Sequence, residues 1–165
     1  MHCWPVILAI ALASCSREPA APVATVAATP APVVSAVSAA GLSDDDWRAR
    51  LTPLAFAVLR RKATELAFTG KYDKHFEPGV YHCAGCGDLL FSSNAKFDSR
   101  TGWPSFFQPA AAGSVTTKMD GDREEVLCSR CGGHLGHVFP DGPEPTRLRY
   151  CINSAAVRFD AGRIE

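Results

Sequence analysis

Two matched pairs of cysteines constrain this chain more than any other feature. Cys83-Ala-Gly-Cys86 and Cys128-Ser-Arg-Cys131 each follow a short β-like run, and each is followed by glycine. A C-x-x-C turn brings two sulfurs to one side of a tight loop, and two such turns facing one another complete a tetrahedron around a metal ion. Gly85, Gly87, Gly132 and Gly133 supply the backbone freedom those loops need. Because 41 residues separate the pairs, a shared ion would cross-link distant parts of the chain. One structural Zn²⁺ on Cys83, Cys86, Cys128 and Cys131 is the expected occupant, with iron on the same thiolates or two disulfides as alternatives. Four thiolates leave zinc no open coordination position, so it would hold the fold and take no part in a reaction.

The 165 residues carry 17 basic and 17 acidic side chains, for a formal net charge of zero. That balance disfavours a nucleic-acid partner, which calls for a basic face. Residues 1–15 hold the apolar run "MHCWPVILAIALASC", too short to span a bilayer but suited to a secretory signal. Leu12-Ala13-Ser14-Cys15 resembles a bacterial lipobox, although the usual Lys or Arg before the apolar run is replaced by His2. The expectation is a periplasmic protein anchored to the membrane by a lipid on Cys15, or a cytoplasmic one if that signal is misread. Residues 16–42, rich in Ala, Pro, Val, Thr and Ser, are read as an extended, disordered tether.

Residues 43–165 are left to form a single domain of about 120 residues. Ser43 can cap a helix whose first turn holds Asp44, Asp45 and Asp46, and Thr52-Pro53 opens a second helix. Leu54 with Val58, and Ala55 with Leu59, give that second helix an apolar face. From Gly70 onward, "GVYHC", "DLLFSS", "SVTTKM", "EEVLC", "GHVFP" and "LRYCINSAAVRF" are strand candidates cut by Gly and Pro. Helices first and strands afterwards predict a mainly β, antiparallel domain with a short helical preface.

Cys151 stands apart from the paired cysteines. In a strand over residues 148–159, Leu148, Tyr150 and Ile152 face one way, towards a core, and Arg149, Cys151 and Asn153 face the other. A neighbouring arginine favours the reactive thiolate, whereas a small buried cysteine packed in a strand is the inert alternative. His134 and His137 follow the second cysteine pair, and imidazole is the side chain best suited to donating protons near neutral pH. Solvent-facing or metal-ligating roles are their alternatives, but four cysteines already suffice for the metal. Trp103, on the turn of "TGWPSF", can present an indole to a pocket or simply fill core.

The segments "KFDSRTGWPSF", "CSRCGGHLGHVFPDGP" and "RYCINSAAVRF" resemble the signature segments of the B-type methionine-R-sulfoxide reductases. The likeness runs from about Trp47 to Phe159 and takes in "LTP", "TE", "FTG" and "YHCAGCG". It implies two antiparallel β sheets with N-terminal helices, and a four-cysteine zinc site at the far end from the active site. It also implies that Cys151 is the nucleophile, attacking the sulfur of a methionine sulfoxide and ending as sulfenic acid. In that scheme His137 protonates the departing oxygen with His134 assisting, Asn153 positions the complex, and Trp103 walls the ε-methyl group, with Arg149 beside the substrate. The implied partners are oxidised proteins or peptides and a thioredoxin-like reductant. Three positions depart from the family pattern. Thr101 stands where many members carry a resolving cysteine, Ala63 stands for a usual glycine before Thr64-Glu65, and Arg147 stands where glycine often precedes the R-Y-C segment. A non-enzymatic zinc-ribbon binding module and a disulfide oxidoreductase are the rival readings. The first is disfavoured by the zero charge and the Cys151 and His137 constellation, the second by the lack of a βαβ pattern.

Overall fold

Ser43 caps the first α-helix of the described residues from both sides. In the computed structural model, which describes residues 41–162 with Met1 and His2, the Ser43 hydroxyl accepts from the Asp46 N–H at 3.2 Å. The Asp46 carboxylate in turn accepts from the Ser43 N–H at 2.9 Å, a reciprocal arrangement that satisfies two otherwise orphaned donors. Apart from Met1 and His2, the predicted leader, with Cys3 and Cys15, and all but the last two residues of the tether lie outside the described residues. Leu42, read as tether, packs against the core.

Helix α1 (Asp44–Arg50) buries Trp47, and α2 (Pro53–Arg61) begins as expected, with Thr52 accepting from the Ala55 N–H at 3.2 Å. The buried arc of α2 is centred on Ala55 and Leu59, with Phe56 and Val58 at its flanks. At about 100° per residue Leu54 falls just past the edge of that arc. It is 52% exposed, so its predicted place on the apolar face is corrected.

Nine strands form two antiparallel sheets among the described residues. The smaller has the order β2-β1-β9, from β1 (Gly79–Cys83), β2 (Leu89–Ser92) and β9 (Val157–Ala161). The larger has the order β3-β4-β8-β7-β6-β5. Its strands are β3 (Lys96–Phe97), β4 (Ser105–Phe106), β5 (Val115–Asp120), β6 (Arg123–Cys128), β7 (His134–Phe139) and β8 (Arg149–Ile152). Fully buried Tyr81 and Phe91 of the small sheet meet Phe106 of the large one, edge-on at 5.0 Å and stacked at 4.5 Å between ring centroids. Such aromatic pairs stabilise beyond the area they bury, by about 0.5–1.5 kcal/mol each.

The mainly β expectation and most strand candidates hold, with two corrections. Strands β3 and β4 have two residues each, too short for alternation to show. The run 148–159 is not one strand: β8 ends at Ile152, residues 154–156 make a 3-10 turn, and β9 crosses to the other sheet. Glu65 forces this break. Its buried carboxylate accepts the N–H groups of Ser154 and Ala155 at 2.6 and 2.9 Å, donors that a continuous strand would have given to a neighbour. The Glu65 N–H donates to the Asn153 side-chain oxygen at 2.9 Å, so one residue clamps the exit of β8 twice.

Glu65→Ala leaves two N–H donors unpaired, that of Ser154 buried and that of Ala155 partly so. We expect it to lower unfolding free energy by on the order of 3 kcal/mol, measured by urea denaturation, while Glu65→Gln recovers part of the loss.

Candidate active site and metal centre

Sheet register places the reactive side chains in one line. Ser105 pairs with Cys151, Cys151 with His137, His137 with Glu125, and Glu125 with Lys118, crossing β4, β8, β7, β6 and β5 in turn. Directly paired residues share a face of the sheet, so these five side chains form a single row. His134 would not join them in a regular strand, because residues three apart face opposite ways. The pairing of β6 with β7 slips at this point: Val126 opposes Gly136 but Leu127 opposes His134, leaving Leu135 as an extra residue. That bulge turns His134 onto the face of His137, with ring centroids 5.4 Å apart.

Beside this row lies a small cavity of about 100 Å³ lined by Cys151, His137, Trp103, Asn153, Arg123 and Phe139, among others. A larger cavity of about 450 Å³ opens between the start of α2, residues 65–72 and β9, and neither cysteine nor histidine lines it. The smaller one is the candidate site, since it alone of the two is lined by a cysteine and a histidine. Trp103 is fixed there by its indole N–H, which donates to the Glu65 carbonyl at 3.2 Å. Gly136 lets β7 approach β8 closely, since a Cβ on it would sit 2.0 Å from the Cys151 carbonyl oxygen.

The structure brings Cys151, His137, Trp103 and Asn153 together around the cavity and sets His134 one layer behind. Buried His134 Nδ1 lies 2.8 Å from the Glu125 carboxylate, while Nε2 of both His134 and His137 is buried with no hydrogen-bond partner. Desolvation, with the charges of Arg123 and His134, lowers the pKa of His137. Asn153 holds backbone with both ends of its amide, accepting from the Glu65 N–H and donating to the Leu135 carbonyl at 2.9 Å.

The expected thiolate preference from Arg149 is corrected. Arg149 makes a two-pronged pair with Asp141 at 2.8 and 2.9 Å and lies over the Phe139 ring at 4.4 Å. Its charge is therefore shared. Burial pushes the Cys151 thiol up, and Arg149 with the hydroxyls of Thr101 and Ser105 only partly offsets this. Thr101 Oγ1 lies 4.0 Å from Cys151 Sγ. Sequence reasoning missed Glu125 and Asp141. Glu124 beside Glu125 looks identical in sequence, and only register separates the buried acid from the solvated one; Asp141 stands out only through its pairing with Arg149.

The two cysteine pairs are built alike. Gly87 and Gly132, at φ +78° and +66°, close each loop by donating to the Cys83 and Cys128 carbonyls at 2.9 and 2.8 Å. Gly85 and Gly133 serve a different need: a Cβ there would crowd Trp47 and Leu59 at 3.2 and 2.9 Å. The four sulfurs lie within 4.8 Å of one another, with Cys83 to Cys131 at 3.7 Å and Cys86 to Cys128 at 3.6 Å. Those separations are well beyond the roughly 2.0 Å of a disulfide. They suit four ligands around one metal ion.

Comparison with known proteins agrees with this geometry. The SelR domain family matches residues 51–161. A peptide methionine sulfoxide reductase MsrB of Leptospira interrogans is 55% identical over 121 residues, covering 71% of this chain and 92% of the relative. One from Bradyrhizobium diazoefficiens is 57% identical over 122 residues, covering 72% and 88%. The chain belongs to the B-type methionine sulfoxide reductases. It is an oxidoreductase that reduces methionine sulfoxide, with a cysteine cluster able to bind metal.

In this reductase the cluster should be a folding element. Cys128→Ser should abolish stoichiometric metal binding and sharply lower the unfolding midpoint, since structural zinc sites contribute on the order of 10 kcal/mol to folding in small peptides. Metal analysis alongside thermal unfolding checks this.

Proposed function

We propose that the protein reduces the R epimer of methionine sulfoxide, free or within proteins, through a sulfenic acid on Cys151. The observation that carries this reading is the direct cross-strand pairing of Cys151 with His137 at the cavity that Trp103 also lines. The sulfoxide enters with its ε-methyl group against the indole and its oxygen towards the unpartnered Nε2 atoms of His137 and His134. Cys151 loses its proton and its sulfur attacks the sulfoxide sulfur. The S–O bond weakens as His137, assisted by His134, protonates the oxygen. Oxygen passes to Cys151 and methionine leaves, so the substrate sulfur is reduced by two electrons and the cysteine sulfur oxidised by two. Arg149 borders the thiol, and Asn153 holds the end of β8 in place for the complex. The two epimers are mirror-related at sulfur, so a cavity with methyl and oxygen subsites fixed on opposite sides accepts one of them.

Cys83, Cys86, Cys128 and Cys131 would hold one Zn²⁺. A tetrahedral ion with Zn–S of about 2.3 Å requires sulfurs about 3.8 Å apart, close to the separations present. Zinc would stabilise the fold here. Every described cysteine other than Cys151 belongs to that cluster, and Thr101 stands 4.0 Å from Cys151 with no thiol to offer. With Cys15 carrying a lipid, recycling would fall to an external dithiol such as a thioredoxin-like protein, one thiol of which condenses with the sulfenic acid and releases water before its second thiol reduces the mixed disulfide. The lipobox-like Leu12–Cys15 supports export to the bacterial periplasm with a lipid on Cys15. Oxidised proteins, and no nucleic acid, are the partners that suit the neutral net charge.

Turnover of the two resolved sulfoxide epimers tests the reading. Wild type should consume the R epimer only, and Cys151→Ser should lose activity while retaining metal and fold. Residual turnover by that variant, or equal use of both epimers, would refute it. A second measurement addresses recycling. After one turnover without reductant, Cys151 should carry a dimedone-reactive sulfenic acid. Thr101→Cys should replace that adduct with a disulfide between the introduced thiol and Cys151, seen by mass spectrometry.

A further inference from the structure

Glu125 is the one fully buried carboxylate in the large sheet, and the reaction outlined above leaves it without a role. It sits in the reactive row, paired with His137 on one side and Lys118 on the other. Its Oε1 atom lies 2.8 Å from His134 Nδ1. Its Oε2 atom accepts from Lys62 Nζ at 2.8 Å and has Lys118 Nζ at 3.7 Å. A carboxylate at zero exposure needs compensation, and these groups supply it. Burial alone would raise its pKa, but the bonds from Lys62 and His134 outweigh burial and keep it ionised.

An ionised carboxylate only accepts hydrogen bonds, so His134 Nδ1 must carry the proton. Its Nε2 is then the atom that takes or releases one, and Nε2 is the buried, unpartnered nitrogen beside His137.

We propose that Glu125 is a positioning residue for the reduction: it fixes the tautomer and orientation of His134, so that Nε2 is the nitrogen from which a proton passes towards the sulfoxide oxygen. Resting on the proposed proton delivery by His134 and His137, this adds the group that orients the ring. Lys62 follows α2, and its placement lets the helical preface hold the far side of the carboxylate. The charged and titratable groups around Glu125 are Lys62, Lys118, His134 and His137, with Asp120 reaching Lys62 at 3.8 Å.

The test compares wild type, Glu125→Gln and Glu125→Asp in single-turnover formation of sulfenic acid across pH, with ¹⁵N resonances of the His134 ring. In wild type Nδ1 should be the protonated nitrogen of the neutral ring. Glutamine keeps the shape but can turn its N–H as readily as its oxygen towards Nδ1, so the neutral His134 ring should populate the Nε2-protonated tautomer. The step at neutral pH should then slow at least tenfold, within the range that general acids contribute. Substrate affinity should be unchanged, and Glu125→Asp should recover part of the rate. A purely structural carboxylate would lower the melting temperature while leaving the single-turnover rate and the ring tautomer as they were, and that result overturns the proposal. So does a wild-type ring protonated at Nε2 alone, which is readable even if Glu125→Gln fails to fold. If His137→Ala and His134→Ala both proceed at the wild-type rate, proton delivery itself is wrong and this inference falls with it. If those variants are slow and Glu125→Gln is not, only the role of Glu125 is overturned.

Discussion

The cysteine cluster joins the two sheets, and the placement of the other elements follows from that tie. Cys83 ends β1 in the small sheet and Cys128 ends β6 in the large one, with Cys86 and Cys131 closing the turn beyond each. The helices lie against the same turns: Trp47 crowds Gly85, Leu59 crowds Gly133, and Arg60 donates to the Cys131 carbonyl at 3.2 Å. Lys62, at the end of that helix, reaches Glu125. A shift of the cluster would therefore move the second turn, the start of β7 and the histidines together. A domain of this size, built from strands of two to six residues, has a modest core, and a metal-sized cross-link compensates for that.

Much of this was legible before any coordinates. The caps at Ser43 and Thr52 follow local chemistry, and the cysteine pairs announce their own geometry through spacing. The row of Cys151, His137 and Glu125 was partly hidden because it depends on which residues of different strands stand opposite one another. His134 and His137 were found as a pair by composition, but their common face arises from the slip at Leu135, which no alternation pattern shows. The break after Ile152 was invisible for a similar reason: its cause, Glu65, lies 88 residues from Asn153 in the chain. Local sequence there favours a continuous strand, and a tertiary hydrogen bond overrides it.

The surroundings of Cys151 combine burial with a shared cation. Burial pushes the Cys151 thiol above its usual pKa, and Arg149, held by Asp141 and Phe139, only partly offsets this. At neutral pH the resting cysteine is therefore chiefly protonated. Thiolates are the form that oxidants attack, and a protonated, half-buried thiol is less exposed to such loss. In the proposed reduction, ionisation would then accompany substrate entry.

The bulge at Leu135 makes the site sensitive to strand register as well as to residue identity. Side chains on a strand alternate, so His134 and His137, three apart, share a face only while Leu135 stays out of the ladder; a slip that drew Leu135 into regular pairing would turn His134 to the opposite face, away from Glu125. Every candidate side chain would still be present. Substitutions around the cavity change the site one contact at a time, but a one-residue slip in β7 would separate the proposed proton-handling groups in one step.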